Sequence, residues 1–241
     1  MLRVRPLVHT ADLPTAAGFL QSLGLTPARD TAPSGSCAVF DAVFDAGSGR
    51  VALRSCAPGS RAEGTTALMF DVADVREFAR RTAEAGTAVE LSGEGHGLAA
   101  RVTAPDGMSF VADAGPRETG APASPLSVLA LWYTADVDGA VRALGDIGAR
   151  PRISSEAGTW HDFRAKNGGL VAVHLQERAA PGLAFEYDGD VRALVSGLSS
   201  GGSEPEVVDE RHGRSLRVRA PWGTDVWINE RRRDLDGCTE H

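Results

Sequence analysis

Four times along the chain a short apolar run ends at an aspartate: Val4 to Ala11 before Asp12, Ala67 to Ala73 before Asp74, Val128 to Ala135 before Asp136, and Leu183 to Gly189 before Asp190. A carboxylate at such a place accepts the free backbone N–H groups of a first helical turn, so each run predicts a strand leading into a helix. Helical spacing follows, as in Val75, Phe78, Ala79 and Thr82, or Val137, Val141, Leu144 and Ile147, or Val191, Leu194, Val195 and Leu198. Glycine then stands where each helix should stop, at Gly24, Gly86, Gly148 and Gly201 or Gly202. Beyond the glycines come short alternating segments joined by turn residues. Examples are Cys37 to Asp45 and Arg50 to Ser55 around Gly47-Ser48-Gly49, and His161 to Lys166 and Leu170 to Leu175 around Asn167-Gly168-Gly169. The predicted unit is strand, helix and about three strands, used four times.

The units are related in sequence. Residues 66 to 114 align on 182 to 230 at a constant offset of 116, with Asp74, Val75, Arg76, Gly86, Glu90, Glu94, His96, Gly97, Arg101, Val102, Ala104, Pro105 and Gly107 recurring. Unrelated sequences of this composition would share roughly three or four residues over that length, far fewer than these. A weaker echo carries Thr10, Ala11, Asp12, Ala16, Leu20, Gly24 and Pro27 forward to Thr134, Ala135, Asp136, Ala140, Leu144, Gly148 and Pro151. The chain reads as two similar halves of two units each, with two cores.

A βαβββ unit used four times, with an Ala/Val-x-Asp-Leu/Val helix start and an Arg-Val-x-Ala-Pro-x-Gly ending at 101 to 107 and 217 to 223, resembles the vicinal-oxygen-chelate superfamily of glyoxalases, bleomycin-resistance proteins and extradiol dioxygenases. That resemblance implies an α+β fold in which paired units curl into an open sheet around a cavity, with the helices outside. The expected organisation is a first domain over 1–115, built from units 1–57 and 64–115, and a linker over 116–125 rich in Pro, Gly and Ala. A second domain follows over 126–231, built from units 126–178 and 181–231, and then a polar tail over 232–241.

Charge and cysteine usage narrow the partners. The net charge of −7 comes without a basic block, so nucleic acid is not expected, and no segment is long and apolar enough to span a membrane. Cys37, Cys56 and Cys238 are odd in number and form no ligand pair, which fits a reduced cytoplasm. A small organic partner, bound by a monomer or homodimer, is the remaining expectation.

The resemblance also implies where a metal would sit. Enzymes of the superfamily place a His seven residues before the cap and a Glu four residues after the turn glycine. Those positions are Arg5, Ala67, Leu129 and Leu183, and Val111 and Trp227. None is a metal ligand of that kind, and His174 is the nearest exception in unit three, so neither metal nor another cofactor is expected. A displaced set of His9, Asp71 and Asp113 is disfavoured because His9 and Asp71 fall at the helix end of their strands and Asp113 at the far end of its own.

Strand alternation directs Arg5, Leu7, His9, Ala67, Met69 and Asp71 at the first cavity. This gives candidate catalytic residues His9, Asp71 and Arg5, with His9 and Asp71 as an acid–base pair and Arg5 as an anion holder. The plainer alternative pairs Arg5 with Asp113 and leaves His9 at the mouth. Counting back from the caps in the second half gives an aromatic cavity. Its candidate ligand-binding residues are Tyr133, Phe185, Tyr187, Trp227 and Asn229, with Trp160 and His174 beside them and Leu129, Leu131 and Leu183 as apolar lining. His96 and His212, in matching Glu-x-His-Gly segments, are read as turn residues. Two functions follow: a metal-independent protein that binds an aromatic or natural-product-like molecule, as bleomycin-resistance proteins do for self-protection, or alternatively an isomerase, lyase or cyclase working through cavity acid–base side chains or an atypical metal site.

Overall fold

The computed structural model describes residues 1–29, 40–93, 97–210 and 213–241. Unit one comprises β1 (Leu2–Val4), β2 (Leu7–Thr10), α1 (Leu13–Ser22), β3 (Thr26–Pro27), β4 (Ala42–Asp45) and β5 (Arg50–Ser55). Unit two comprises β6 (Thr66–Ala67), β7 (Met69–Val72), α2 (Val75–Ala85), β8 (Ala88–Ser92), β9 (Ala99–Thr103) and β10 (Ser109–Ala114). In unit three β11 (Leu126–Thr134) leads into α3 (Val137–Asp146), then β12 (Arg150–Ser155), β13 (Trp160–Arg164) and β14 (Leu170–Leu175). In unit four β15 (Ala180–Tyr187) leads through a 3-10 turn (Val191–Leu194) into α4 (Val195–Ser200), then β16 (Glu206–Glu210), β17 (Gly213–Arg219) and β18 (Asp225–Glu230). One further strand, β19 (Cys238–Glu240), lies in the segment read as a polar tail.

The helix starts follow from the aspartates. Asp12, Asp74 and Asp136 accept from the backbone N–H of Thr15, Glu77 and Gly139 at 2.9 to 3.0 Å, and Asp190 accepts from Arg192. The strands of the two halves assemble differently. Units three and four share a nine-stranded sheet, β16-β17-β18-β15-β11-β14-β13-β12-β19. The first half divides at Arg5-Pro6 and Leu68 into two five-stranded sheets, β1-β7-β10-β9-β8 and β3-β4-β5-β2-β6.

Chain length shows that the nine-stranded sheet curls. β18 and β19 are six strand spacings apart, roughly 29 Å if the sheet were flat. The seven residues 231–237 would have to be almost fully extended to cover that distance. They instead include a turn in which Cys238 N–H donates to Leu235 C=O at 2.9 Å. The outer strands therefore face each other across a cleft.

Instead of two separate cores, most of the buried apolar residues of both halves form one continuous cluster, with a smaller cluster on the cavity side of each half. The residue between Pro and Gly in each closing turn reaches into the other half. Asp106 accepts from Trp132 Nε1 at 2.9 Å, and Trp222 packs edge-on against Phe19 with ring centroids 5.3 Å apart. Trp132, fully buried, also meets Phe110 at 5.8 Å. The turns of units one and three meet at glycines: Gly169 N–H donates to Ser48 Oγ at 2.8 Å, and a Cβ on Gly169, whose φ is +85°, would stand 2.5 Å from Val4 Cβ on the neighbouring β1.

Candidate functional site

The two halves fill their cavities differently. In the first, β1 and β2 run antiparallel to β6 and β7, with Arg3 opposite Asp71 and Leu7 opposite Ala67. Asp71 therefore lies beside Arg5, and the two form a buried ion pair. Asp113 pairs in register with Asp71 on β10 and stands 3.8 Å from Arg5, while Arg3 and Arg50 approach Asp71 Oδ2 at 3.8 Å and Arg50 also binds Asp45 at 2.6 Å. Three arginines thus compensate three aspartates with almost no exposure. The Arg5 guanidinium lies 4.0 Å from the Phe40 ring, and Leu7, Ala28, Val43, Ala52 and Met69 pack beside it.

This register overturns the acid–base pair expected from sequence. His9 lies opposite Thr65, to whose Oγ1 its Nδ1 is 3.2 Å, whereas Asp71 lies opposite Arg3. Six residues of strand, roughly 20 Å, separate the two positions. Because the first strands of paired units are antiparallel, their helix ends point in opposite directions, so His9 and Asp71 are apart and Asp71 and Asp113 are together. Arg5 and Asp71 serve as packing charges, with Arg5 paired to both aspartates.

The second half is open. A cavity of about 370 Å³ lies in the curl of the nine-stranded sheet. Its floor is apolar: Leu129, Leu131, Ala172 and Ala184 line it with Tyr133 and Trp227, and Leu170 packs in the same cluster. Neighbouring strands carry Tyr133, His174 and Trp160 side by side, with Tyr133 and His174 centroids 5.8 Å apart and His174 and Trp160 6.4 Å apart at 22°. Asn229 accepts from Ser215 Oγ at 2.9 Å at the far side. Burial raises the Tyr133 phenol and lowers the His174 imidazole, so His174 is neutral near pH 7.

Of the sequence candidates, Tyr133, Trp160, His174, Trp227 and Asn229 line this cavity, and Phe185 and Tyr187 do not. Phe185 is fully buried in the shared core and Tyr187 packs against it. The cause is one extra residue. Strands β7 and β11 end two residues before their caps, at Val72 for Asp74 and Thr134 for Asp136, but β15 ends at Tyr187, three before Asp190. That insertion inverts the strand's faces, because side chains alternate with period two. Leu129 is opposite Ala184, so Ala184 and Glu186 face the cavity and Leu183 and Phe185 face the core. The constant offset of 116 therefore holds only from the cap onward, and all thirteen shared residues lie there.

The inversion places Glu186 where the first half has Asp71, and an arginine again meets it. Arg152, on β12 at the opposite wall, donates from Nη1 to Glu186 Oε1 at 3.0 Å and from Nη2 to Oε2 at 2.5 Å, and it also binds Asp162 through Nε at 3.0 Å and through Nη2. This tie closes the curl. Burial works against the Arg152 charge, but Glu186 and Asp162 outweigh it and raise its pKa. Burial also dominates at Asp162, only partly offset by Arg152, and pushes its carboxyl up to about 6. Its Oδ1 is buried with no hydrogen-bond partner among the described residues. Arg152 and Asp162 escaped sequence reasoning because it followed the first strands, and Glu186, on a first strand, because of the extra residue before Asp190; a buried arginine flanked by acids on separate strands leaves no spacing signal.

No protein-family model matches the sequence, and a search of curated proteins finds no match. Solved structures do match. The 2,3-dioxygenase LapB from Pseudomonas sp. KL28 aligns with a TM-score of 0.61 at 16% identity over 95% of this chain and 91% of its own. The fold is that of the vicinal-oxygen-chelate superfamily. A Mn(II)-bound glyoxalase from Novosphingobium aromaticivorans aligns with a TM-score of 0.60 at 19% identity, over 99% and 84% of the two chains. Homoprotocatechuate 2,3-dioxygenase from Arthrobacter globiformis gives 0.61 at 18%, over 98% and 81%.

Because one neighbour is a Mn(II)-bound glyoxalase, metal binding is tested here at the positions where the superfamily resemblance implies ligands. With the β15 register corrected, the second half presents Leu129, Ala184 and Trp227 there, all in the apolar floor. The first half presents Arg5, Ala67 and Val111, a paired cation and two apolar side chains. Divalent ions need converging oxygen, nitrogen or sulfur donors, and these residues do not fit one. Among the described residues no three His, Cys, Asp or Glu side chains converge as a ligand set. His96, His212 and Cys37 lie outside the described residues.

Proposed function

We propose that the second-half cavity binds an aromatic or natural-product-like small molecule without a metal, as bleomycin-resistance proteins of this superfamily do in self-protection. The observation that carries this reading is the apolar floor: Leu129, Ala184 and Trp227 stand where the superfamily's ligands would be and continue into Leu131, Leu170 and Ala172. A volume of about 370 Å³ suits a ligand of two or three fused rings. Trp227 and Tyr133 offer ring surfaces, while Asn229, held by Ser215, supplies orientation. The catechol 2,3-dioxygenase among the matching structures acts on an aromatic compound, which adds support for ligands of that class. The first half, packed shut by its ion pairs, acts as scaffold.

The test is titration of tryptophan fluorescence with a panel of two-ring and three-ring aromatic compounds in EDTA, for the native chain and Trp227→Ala. Saturable one-to-one binding that weakens at least about ten-fold in the variant is expected. Absence of binding across the panel, or binding only after a divalent metal is added, would overturn the reading.

One observation favours a second reading, an isomerase, lyase or cyclase. Asp162 combines burial, a pKa near 6 and a place in the cavity wall, a combination met in general acids and bases. On this reading the acid–base residue is Asp162, held by Arg152, and His9 has no part. Proton exchange into a bound ligand that is lost in Asp162→Asn would establish it.

A further inference from the structure

The last ten residues, read from sequence as a bare polar tail, are built into the cavity wall. β19 pairs antiparallel with the edge of β12, Ile153 opposite Glu240 and Ser155 opposite Cys238. Glu156 N–H donates to Gly237 C=O, His241 N–H donates to Arg152 C=O, and His241 Nε2 is 2.9 Å from Ser154 Oγ. Residues 231–237 thus cross from β18 on one wall of the curl to β12 on the other, and they carry Arg232 into the cavity lining.

Arg232 differs from the other cavity arginines. Arg152 is held by Asp162 and Glu186, and Arg214 has Asp190 and Glu230 within 3.8 Å. The flanking Arg231 and Arg233 both bind Asp188, outside the cavity. Among the described residues Arg232 has no carboxylate within ion-pair distance. Its guanidinium carbon lies 5.1 Å from the Trp160 ring centroid, and Nη1 donates to Cys238 Sγ at 2.7 Å. A cation–π contact and one sulfur contact hold the guanidinium beside Trp160 while most of its five N–H donors are left for another acceptor. It continues the row of Tyr133, His174 and Trp160, so an acceptor bound there belongs to a molecule lying along aromatic rings.

We propose that Arg232 is a specificity-determining residue of this cavity and that the ligand is an aromatic molecule carrying a carboxylate or similar oxyanion, received by Arg232. This rests on the binding function proposed above. A guanidinium without an acid partner, delivered by a strap that spans the cavity mouth, selects for negative charge by supplying two parallel N–H donors.

The probes are 2-naphthoate and its neutral counterpart 2-naphthamide, titrated by isothermal calorimetry against the full chain in EDTA. The acid is expected to bind at least about ten-fold more tightly than the amide. Arg232→Gln should bring the two to similar affinity by weakening the acid, Arg232→Lys should retain part of the preference, and Arg233→Gln should leave it intact. Equal affinities in the native chain, or a preference that survives Arg232→Gln, would overturn the role of Arg232 while leaving the binding function in place. Tighter binding of the acid by Arg232→Gln would overturn it too, showing the guanidinium to be an obstruction. Failure of both probes and of the wider aromatic panel would defeat the binding function itself.

Discussion

Asp162 yields a prediction whose sign opposes the usual expectation for an ion-paired carboxylate. Its folded pKa is about 6, against 3.8 for an ordinary aspartate, because burial outweighs the attraction of Arg152. The folded state therefore binds this proton more tightly than the unfolded state does. Stability from the group is complete below pH 3.8 and is lost as pH rises through 6. At 1.36 kcal/mol per pH unit the difference is about 3 kcal/mol. Asp162→Asn replaces the charge by a neutral group of the same shape, and Arg152 keeps Glu186 as its partner. Urea unfolding followed by tryptophan fluorescence should find the variant more stable than the native chain by about 2–3 kcal/mol at pH 7.5, with the advantage gone near pH 4. A variant that is less stable at pH 7.5 would refute the reasoning, since it would show that pairing with Arg152 outweighs burial.

In the first half the opposite sign is expected: Asp71→Asn takes the shared acceptor from Arg3, Arg5 and Arg50, and should cost about 3–5 kcal/mol in the same unfolding assay. Gly169→Ala, which would set a Cβ 2.5 Å from Val4 Cβ at φ +85°, should lose more than about 2 kcal/mol and separate the unfolding of the two halves. Burial lowers His174 below 6.5, so the unfolded chain binds this proton more tightly. Its stabilising contribution is present above pH 6.5 and is lost as pH falls through the folded value, and its imidazole NMR signals should titrate below 6.5. His9→Ala should leave affinity for 2-naphthoate unchanged by calorimetry, because His9 lies in the other half beside Thr65.

Much of the fold was legible because its signals are local. Each capping aspartate acts within three residues, the helices carry apolar faces at regular spacing, and the closing turns repeat as Pro-x-Gly, so strand and helix order followed directly. The site was less legible because it depends on parity and on long-range pairing. Tyr133, Trp160, His174, Trp227 and Asn229 fell into the cavity, but the extra residue between Tyr187 and Asp190 turned Phe185 and Tyr187 to the other face of β15. The same feature hid Glu186. His9 and Asp71 were paired by their equal distance from a cap, which places them together only if the strands run parallel, and they run antiparallel. The strap was missed for a different reason: β19 is three residues long, has no apolar alternation, and is held by backbone pairing to β12.

At the centre of the proposed function is a second-half cavity that takes an aromatic oxyanion without a metal. Native mass spectrometry of the full chain in the presence of 2-naphthoate, after EDTA treatment and again after dialysis against Mn(II), Fe(II), Zn(II) and Ni(II), tests it most directly. One naphthoate per chain in both preparations, with no stoichiometric metal adduct, is the predicted result. A retained metal ion, or a naphthoate adduct that forms only when one is present, would contradict it.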